Sequence, residues 1–148
     1  MRSEEGFSLL ELLVVVLILG ALAAIALPAF LGAKGNAHDG DAKSRARNLA
    51  REVETCFVDR GDYRQCDAQT DLADGASYSW GTGPGQVRVT GSAAARFTVE
   101  SYSKQANESN KRQYHRFRWV RAANGSVSRL CDRAGPGNDS GGCSAGTW

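Results

Sequence analysis

Residues 12–31 form an uninterrupted apolar segment in which no side chain is polar. A helix rises about 1.5 Å per residue, so this segment would be about 30 Å long, the thickness of a bilayer core. The rest of the sequence is hydrophilic and rich in Gly, Ser, Asp and Arg. Because 148 residues accommodate one globular domain but not comfortably two, we expect an apolar helix followed by one small domain.

The residues before and within the apolar segment separate the functions that it could serve. A permanent anchor needs only length, whereas a secretory signal needs a basic start and a small-residue cleavage site, for which Ala24-Ile25-Ala26 is a candidate. Residues 1–6 are instead net acidic, and Glu11 lies inside the apolar sequence. A carboxylate at membrane depth costs about 2.5–3.5 kcal/mol on insertion scales. Neither an anchor nor a signal accounts for it.

A third interpretation uses all of these features. The stretch Gly6-Phe7-Ser8-Leu9-Leu10-Glu11, followed by the apolar segment with Pro28 inside it, resembles the N-terminus of type IV pilins and pseudopilins. The resemblance implies that a prepilin peptidase cuts after Gly6 and N-methylates Phe7, so that the mature chain keeps its apolar helix. It also implies that Glu11 pairs with the Phe7 amine of a neighbouring subunit.

The physics of this arrangement is consistent. In a dry filament core a lone carboxylate and a lone ammonium are each costly, and pairing them removes both penalties only in the correct register. Pro28 lacks a backbone donor and clashes with the carbonyl four residues earlier. We therefore expect a helix break between about Gly20 and Pro28.

The resemblance also implies partners and a location. The partners are other copies of the chain in a helical filament, the prepilin peptidase, and the pilus assembly platform with its ATPase. The precursor would cross the cytoplasmic membrane once with its C-terminus outside, and the assembled pilus would be extracellular and serve adhesion, motility or DNA uptake. Lysines and arginines after the span outnumber those before it, which opposes this orientation, while the cysteines and the leader favour it. A type II secretion pseudopilin, and a secreted domain with a general signal, remain alternatives.

The sequence after the apolar segment predicts an amphipathic helix and then short strands. Residues 32–40 are glycine-rich, which leaves open a flexible joint, and apolar residues then recur at helical spacing, at Ala42, Ala46, Leu49, Val53, Cys56 and Phe57. Strands are predicted at 77–80, 86–90, 96–103, 113–122 and 126–131, with Asn124-Gly125 as a type I′ hairpin turn. The expected fold is α+β, with a leader (1–6), a filament-core helix (7–31), an amphipathic helix (32–60) and a β-sheet head (61–148).

Four cysteines, at positions 56, 66, 131 and 143, predict two disulfides in an oxidising compartment. Their spacing does not fit the usual zinc sites, so we expect no metal. Three pairings are open, and we favour the local one, Cys56–Cys66 with Cys131–Cys143. The second bridge would enclose a glycine-rich loop, which resembles the disulfide-bounded loop near the C-terminus of many pilins.

The C-terminal part of the sequence carries a basic, aromatic stretch. From Arg96 onward there are nine Lys and Arg against four Asp and Glu. Arginines that alternate with aromatic residues are candidates for nucleic-acid contact, at Arg112, Arg116, Arg118 and Arg121. The simpler interpretation is a strand with Phe117 and Trp119 facing inward and the arginines solvated.

Other motifs carry less information. Asp139-Ser140-Gly141-Gly142 resembles a serine-protease nucleophile segment, but we expect neither His38 nor His115 to be held by a buried Asp, and the chain is too short. Asp67, Asp71 and Asp74 match no calcium-ligand spacing. Glycosylation triplets occur at Asn107, Asn124 and Asn138. We expect no enzymatic activity and no cofactor.

Overall fold

The computed structural model describes residues 7–106, 114–132 and 142–148. The predicted cleavage residue Gly6, the candidate Arg112, the triplets at Asn107 and Asn138 and most of the C-terminal loop lie outside them. The chain divides into an N-terminal unit that ends at Lys34 and a C-terminal unit that begins at Gly35.

A single helix, α1, extends over Leu9–Arg60. Helical backbone continues through the glycine-rich residues 32–40, where the sequence left a flexible joint open, and through Gly20 and Pro28. The described chain therefore has no break at these two residues, and a break in the assembled filament stays a prediction. The helix ends where expected, because Gly61 adopts a left-handed φ of 70° and its N–H donates to the carbonyl of Phe57 at 2.7 Å.

Four antiparallel strands follow in the spatial order β1-β2-β3-β4: Val87–Ala93, Arg96–Ala106, Tyr114–Arg121 and Val127–Asp132. The predicted α+β fold is confirmed. The prediction of a strand at 77–80 is wrong, because Gly75–Ser77 forms a 3₁₀ turn and Trp80 makes only an isolated bridge to Val87. The indole N–H of Trp80 donates to the Gly75 carbonyl at 2.9 Å and folds this segment back on itself.

The turn between β3 and β4 differs from the predicted type I′ hairpin. The Gly125 N–H donates to the Ala122 carbonyl, and the Ala122 N–H donates to the Ser126 carbonyl, both at 2.9 Å. Gly125 has a φ of 83°, whereas Asn124 is not in the left-handed region. This is a three-residue loop, a type I turn followed by a left-handed glycine. The predicted hairpin is present, but the glycine alone supplies the unusual backbone.

The core of the C-terminal unit lies between α1 and one face of the sheet. The helix contributes the predicted stripe, in which Ala42, Ala46, Leu49 and Val53 are fully buried. The facing strands bury Val87, Phe97, Val99 and Phe117. Burying a large apolar side chain contributes about 1.5–3 kcal/mol, so these contacts supply much of the stability of the unit.

Candidate assembly segment and basic surfaces

The N-terminal unit exposes a continuous apolar surface. Every residue from Phe7 to Phe30 is exposed, and the large apolar side chains among them are 45–85% accessible. By length and composition, α1 is able to cross a membrane. An apolar surface of this extent marks contact with a membrane or with other protein chains.

Glu11 interrupts this surface in the first turn of α1, where the helix dipole favours a negative charge. Its N–H donates to the Ser8 carbonyl at 3.1 Å, so its backbone is held by the start of the helix. Its carboxylate has no ion-pair partner among the described residues. Phe7 lies just before the helix begins, four positions earlier in the sequence. Both predicted pairing residues are thus at one end of α1, and the part of the chain that the structure describes leaves Glu11 unpaired.

The cysteines form the local pairs that were favoured from the sequence. Cys56 is bonded to Cys66 and Cys131 to Cys143, with Cα–Cα distances of 5.9 Å in both. The first bridge ties the last turns of α1 to the segment that follows it. The second ties β4 to the C-terminal segment beside Ala42 and Phe117.

The structure places the candidate arginines on β3 and gives each described one an acidic partner. Arg116 pairs with Asp132 and lies 3.2 Å from Glu100, and Arg118 lies 3.2 Å from Asp132. Arg121 pairs with Glu54 of α1 at 2.9 Å. Phe117 is buried and Trp119 packs on the core, as the alternation predicted. The three described arginines are therefore largely neutralised.

Glu100 is the centre of an ionic network on the other face of the sheet. It is 5% exposed and accepts hydrogen bonds from Arg88 at 2.6 Å and from the Tyr102 hydroxyl at 2.9 Å. The hydrogen bond that Arg88 donates to Glu100 raises the pKa of Arg88. Burial, and then Glu100, raise the pKa of Tyr102. Arg88 and Tyr102 both stay protonated at neutral pH and so keep donating hydrogen bonds to Glu100.

His115 corrects one prediction. Its Nδ1 atom lies 2.8 Å from Oδ2 of Asp39, which is fully buried on α1, so this histidine is held by a buried aspartate after all. Burial lowers the pKa of the nearby Lys43, and the charge of Asp39 opposes that shift. Ser140, the nucleophile of the protease-like motif, lies outside the described residues. The pair joins helix and sheet and provides no catalytic arrangement by itself.

The acidic residues 67, 71 and 74 follow α1. Asp67 accepts a hydrogen bond from Ser92, while Asp71 accepts one from the Ala68 N–H at 3.0 Å and pairs with Arg60 at 3.5 Å. Asp67 and Asp71 thus hold local backbone and neighbouring side chains. Within the described ranges, no group of three or more potential ligands is close enough to hold a metal ion.

Comparisons with known proteins agree with the resemblance seen at the N-terminus. Residues 1–27 match the family model of the prokaryotic N-terminal methylation motif. The type IV major pilin protein PilE1 of Neisseria gonorrhoeae is 27% identical over 128 residues, which cover 86% of this chain and 75% of PilE1. The chain as a whole is similar to type IV major pilins, and its first 27 residues carry the methylation motif.

Two shorter matches point to the same family. A fimbrial protein of Moraxella nonliquefaciens is 38% identical over 68 residues, 42% of this chain and 44% of that protein. The type IV major fimbrial protein FimA of Dichelobacter nodosus is 33% identical over 63 residues, 43% of this chain and 40% of FimA. These two matches span less than half of the relatives. No solved structure matches this chain significantly.

The sequence contained one unused signal for the buried polar pair of His115 and Asp39. On β3, His115 lies two residues before Phe117 and four before Trp119, so strand alternation places all three on the inner face. A histidine on an inner face needs a polar partner. That partner, Asp39, is 76 residues away in the sequence, so the local pattern does not predict it.

Proposed function

We propose that this chain is a type IV pilin, the structural subunit of a type IV pilus, and that it is processed after Gly6 and N-methylated at Phe7. The observation that supports this most is the exposed apolar surface of residues 7–30 with one carboxylate, Glu11, at its start, for which the described residues provide no ion-pair partner. In a bundle of such helices the apolar side chains are removed from water or lipid. The Phe7 amine of one subunit then neutralises Glu11 of the next, which sets their register.

The proposal includes partners and a location that follow from the family resemblance. A prepilin peptidase, an assembly platform and its ATPase would act on a single-pass precursor in the cytoplasmic membrane, with its C-terminal unit outside. The two disulfides support an oxidising location for that unit. They also favour a surface pilus, for adhesion, motility or DNA uptake, over a secretion pseudopilin. The relatives described above carry pilin or fimbrial names.

The first experiment is intact mass and N-terminal sequencing of the protein purified from its host. We expect a chain that starts at N-methylated Phe7 and lacks one hydrogen for each of its four cysteines. A chain that starts at Leu27 would contradict the proposal, because the polymerising helix would be gone.

A second experiment tests the register pair. Glu11→Gln removes the charge at nearly constant shape, and we expect processed protein in the membrane but few or no sheared filaments by electron microscopy. Asp59→Asn is the matched control, because it removes one exposed carboxylate from the same helix and should assemble normally. Normal filaments from Glu11→Gln would refute the pairing and leave the processing result intact.

A further inference from the structure

The two flanks of α1 in the C-terminal unit carry opposite charges. Successive residues of a helix are about 100° apart around its axis. Arg47 and Arg51 therefore fall on one side of the buried stripe of α1, and Glu52 falls on the other side. The face of α1 between these two flanks is exposed, and among the described residues nothing packs on it.

The cationic edge consists of Arg47 and Arg51 of α1 and Arg129 of β4, which line one groove of about 400 Å³. All three are exposed, and none has a carboxylate partner among the described residues. Glu54 also lines this groove but is paired with Arg121 at 2.9 Å. Since β4 is the last strand in the spatial order of the sheet, the cationic edge lies at one end of the C-terminal unit.

The acidic edge consists of Glu52 of α1 and Asp74, which both lie near Tyr78. Burial raises the pKa of Tyr78, and the charges of Glu52 and Asp74 raise it further. Within the described ranges, neither carboxylate has an ion-pair partner. Tyr78 comes two residues before Trp80, which bridges to Val87 of the first strand. The acidic edge therefore lies at the opposite end of the sheet from the cationic edge.

We propose that the cationic edge of one subunit binds the acidic edge of the next. Opposite charges at opposite ends of one unit do not meet within a single copy, but they are complementary between two copies. A second copy is the partner that fits, because one chain carries both halves of the contact.

This contact is heterologous, since two different surfaces meet. A heterologous contact that does not close into a ring generates an open helical assembly. The inference rests on the proposed function and adds to it, because it names the surfaces of the C-terminal unit that meet when the apolar helices bundle.

The test reverses one edge at a time in the full chain, expressed in its host in place of the unmodified protein. Arg51→Glu with Arg129→Glu makes both edges acidic. Glu52→Arg with Asp74→Arg makes both edges basic. We expect each double variant to be processed to Phe7 but to yield about tenfold fewer sheared filaments, because like charges then face each other. Cells that make both variants should recover filaments that contain both chains, since acidic and basic subunits then alternate.

A control with the same change in charge, Arg96→Glu with Lys104→Glu, reverses two exposed cations on the inner strand β2 and should assemble normally. Thermal unfolding of each variant in neutral detergent shows that the fold is retained. Folded variants that fail to recover filaments together would overturn the inference and leave the proposed function standing. A loss confined to the Arg51 and Arg129 variant would also overturn it, because those cations would then serve a different anionic partner. An unmodified chain that forms no filaments would overturn both.

Discussion

The imidazole of His115 on β3 and the carboxylate of Asp39 on α1 are joined at 2.8 Å in the interior of the C-terminal unit. Asp39 is fully buried and His115 is 5% exposed. The second carboxylate oxygen of Asp39, Oδ1, has no hydrogen-bond partner among the described residues. Burying a carboxyl group costs free energy unless a polar partner binds it, and His115 is such a partner for Asp39.

We predict that Asp39→Ala lowers the free energy of unfolding by about 1–3 kcal/mol, because it leaves a buried imidazole without its partner. Asp41→Ala is the matched control. Asp41 is two residues away, but its side chain is 52% exposed and pairs with the neighbouring Arg45 on the helix surface, so its loss should cost under about 1 kcal/mol. Guanidinium unfolding followed by tryptophan fluorescence measures both.

A double-mutant cycle with His115→Gln separates the pair from its surroundings. We expect a coupling energy of about 0.5–3 kcal/mol between positions 39 and 115. Additive effects would show that the two side chains stabilise the unit independently, contrary to the contact.

Two valines on α1 offer a test of the core. Val53 is fully buried against the sheet, whereas Val58, on the same helix, is 82% exposed. Val53→Ala removes two buried methyl groups and leaves a cavity, so we expect a loss of about 2 kcal/mol. Val58→Ala should change stability by less than about 0.5 kcal/mol. Similar losses at both positions would contradict the assignment of the buried face.

The two disulfides should contribute similar amounts to the free energy of unfolding. Their sequence separations are 10 and 12, so the chain-entropy model assigns each about 3 kcal/mol. The test compares two double variants, Cys56→Ser/Cys66→Ser and Cys131→Ser/Cys143→Ser, by the midpoint of their unfolding in guanidinium. A pair whose removal left the midpoint unchanged would show that its bridge does not constrain the unfolded chain.

Local patterns in the sequence were sufficient for most of the fold. The spacing of Ala42, Leu49 and Val53 predicted the buried helix face, and strand alternation predicted the inward Phe117, because both depend on periodicity alone. The prediction of a strand at 77–80 failed because the hydrogen bond from the Trp80 indole to the Gly75 carbonyl outweighed the β-propensity of the segment.

Contacts between distant segments were not predictable. One groove is lined by Arg51 of α1 and by Arg129 of β4, and the ionic network joins Arg88 of β1 to Glu100 of β2. The sequence showed an excess of positive charge but not which arginines acquire carboxylates. That depends on strand order and register, which a single sequence does not specify.

Tyr63 gives the fold a predictable response to alkaline pH. Tyr63 is 1% exposed, and its ring stacks on that of Phe57 with the ring centres 4.0 Å apart. Its hydroxyl donates a hydrogen bond to the Glu54 carboxylate at 2.7 Å. Burial, and then the hydrogen bond to Glu54, raise the pKa of Tyr63 to about 12, against about 10 in an unfolded chain. A pKa raised by folding means that the folded state keeps its proton longer. The contribution of Tyr63 is therefore complete below pH 10 and is lost between about pH 10 and 12.

We predict that Tyr63→Phe is about 1 kcal/mol less stable than the unmodified protein at pH 8, because one buried hydrogen bond is missing. The difference should shrink as the pH rises from 10 to 12, since only the unmodified protein has this phenol to ionise. Unfolding free energies measured at pH 8, 10, 11 and 12 test this. A gap that stays constant over that range would mean that the phenol titrates alike in both states and that Glu54 does not hold its proton.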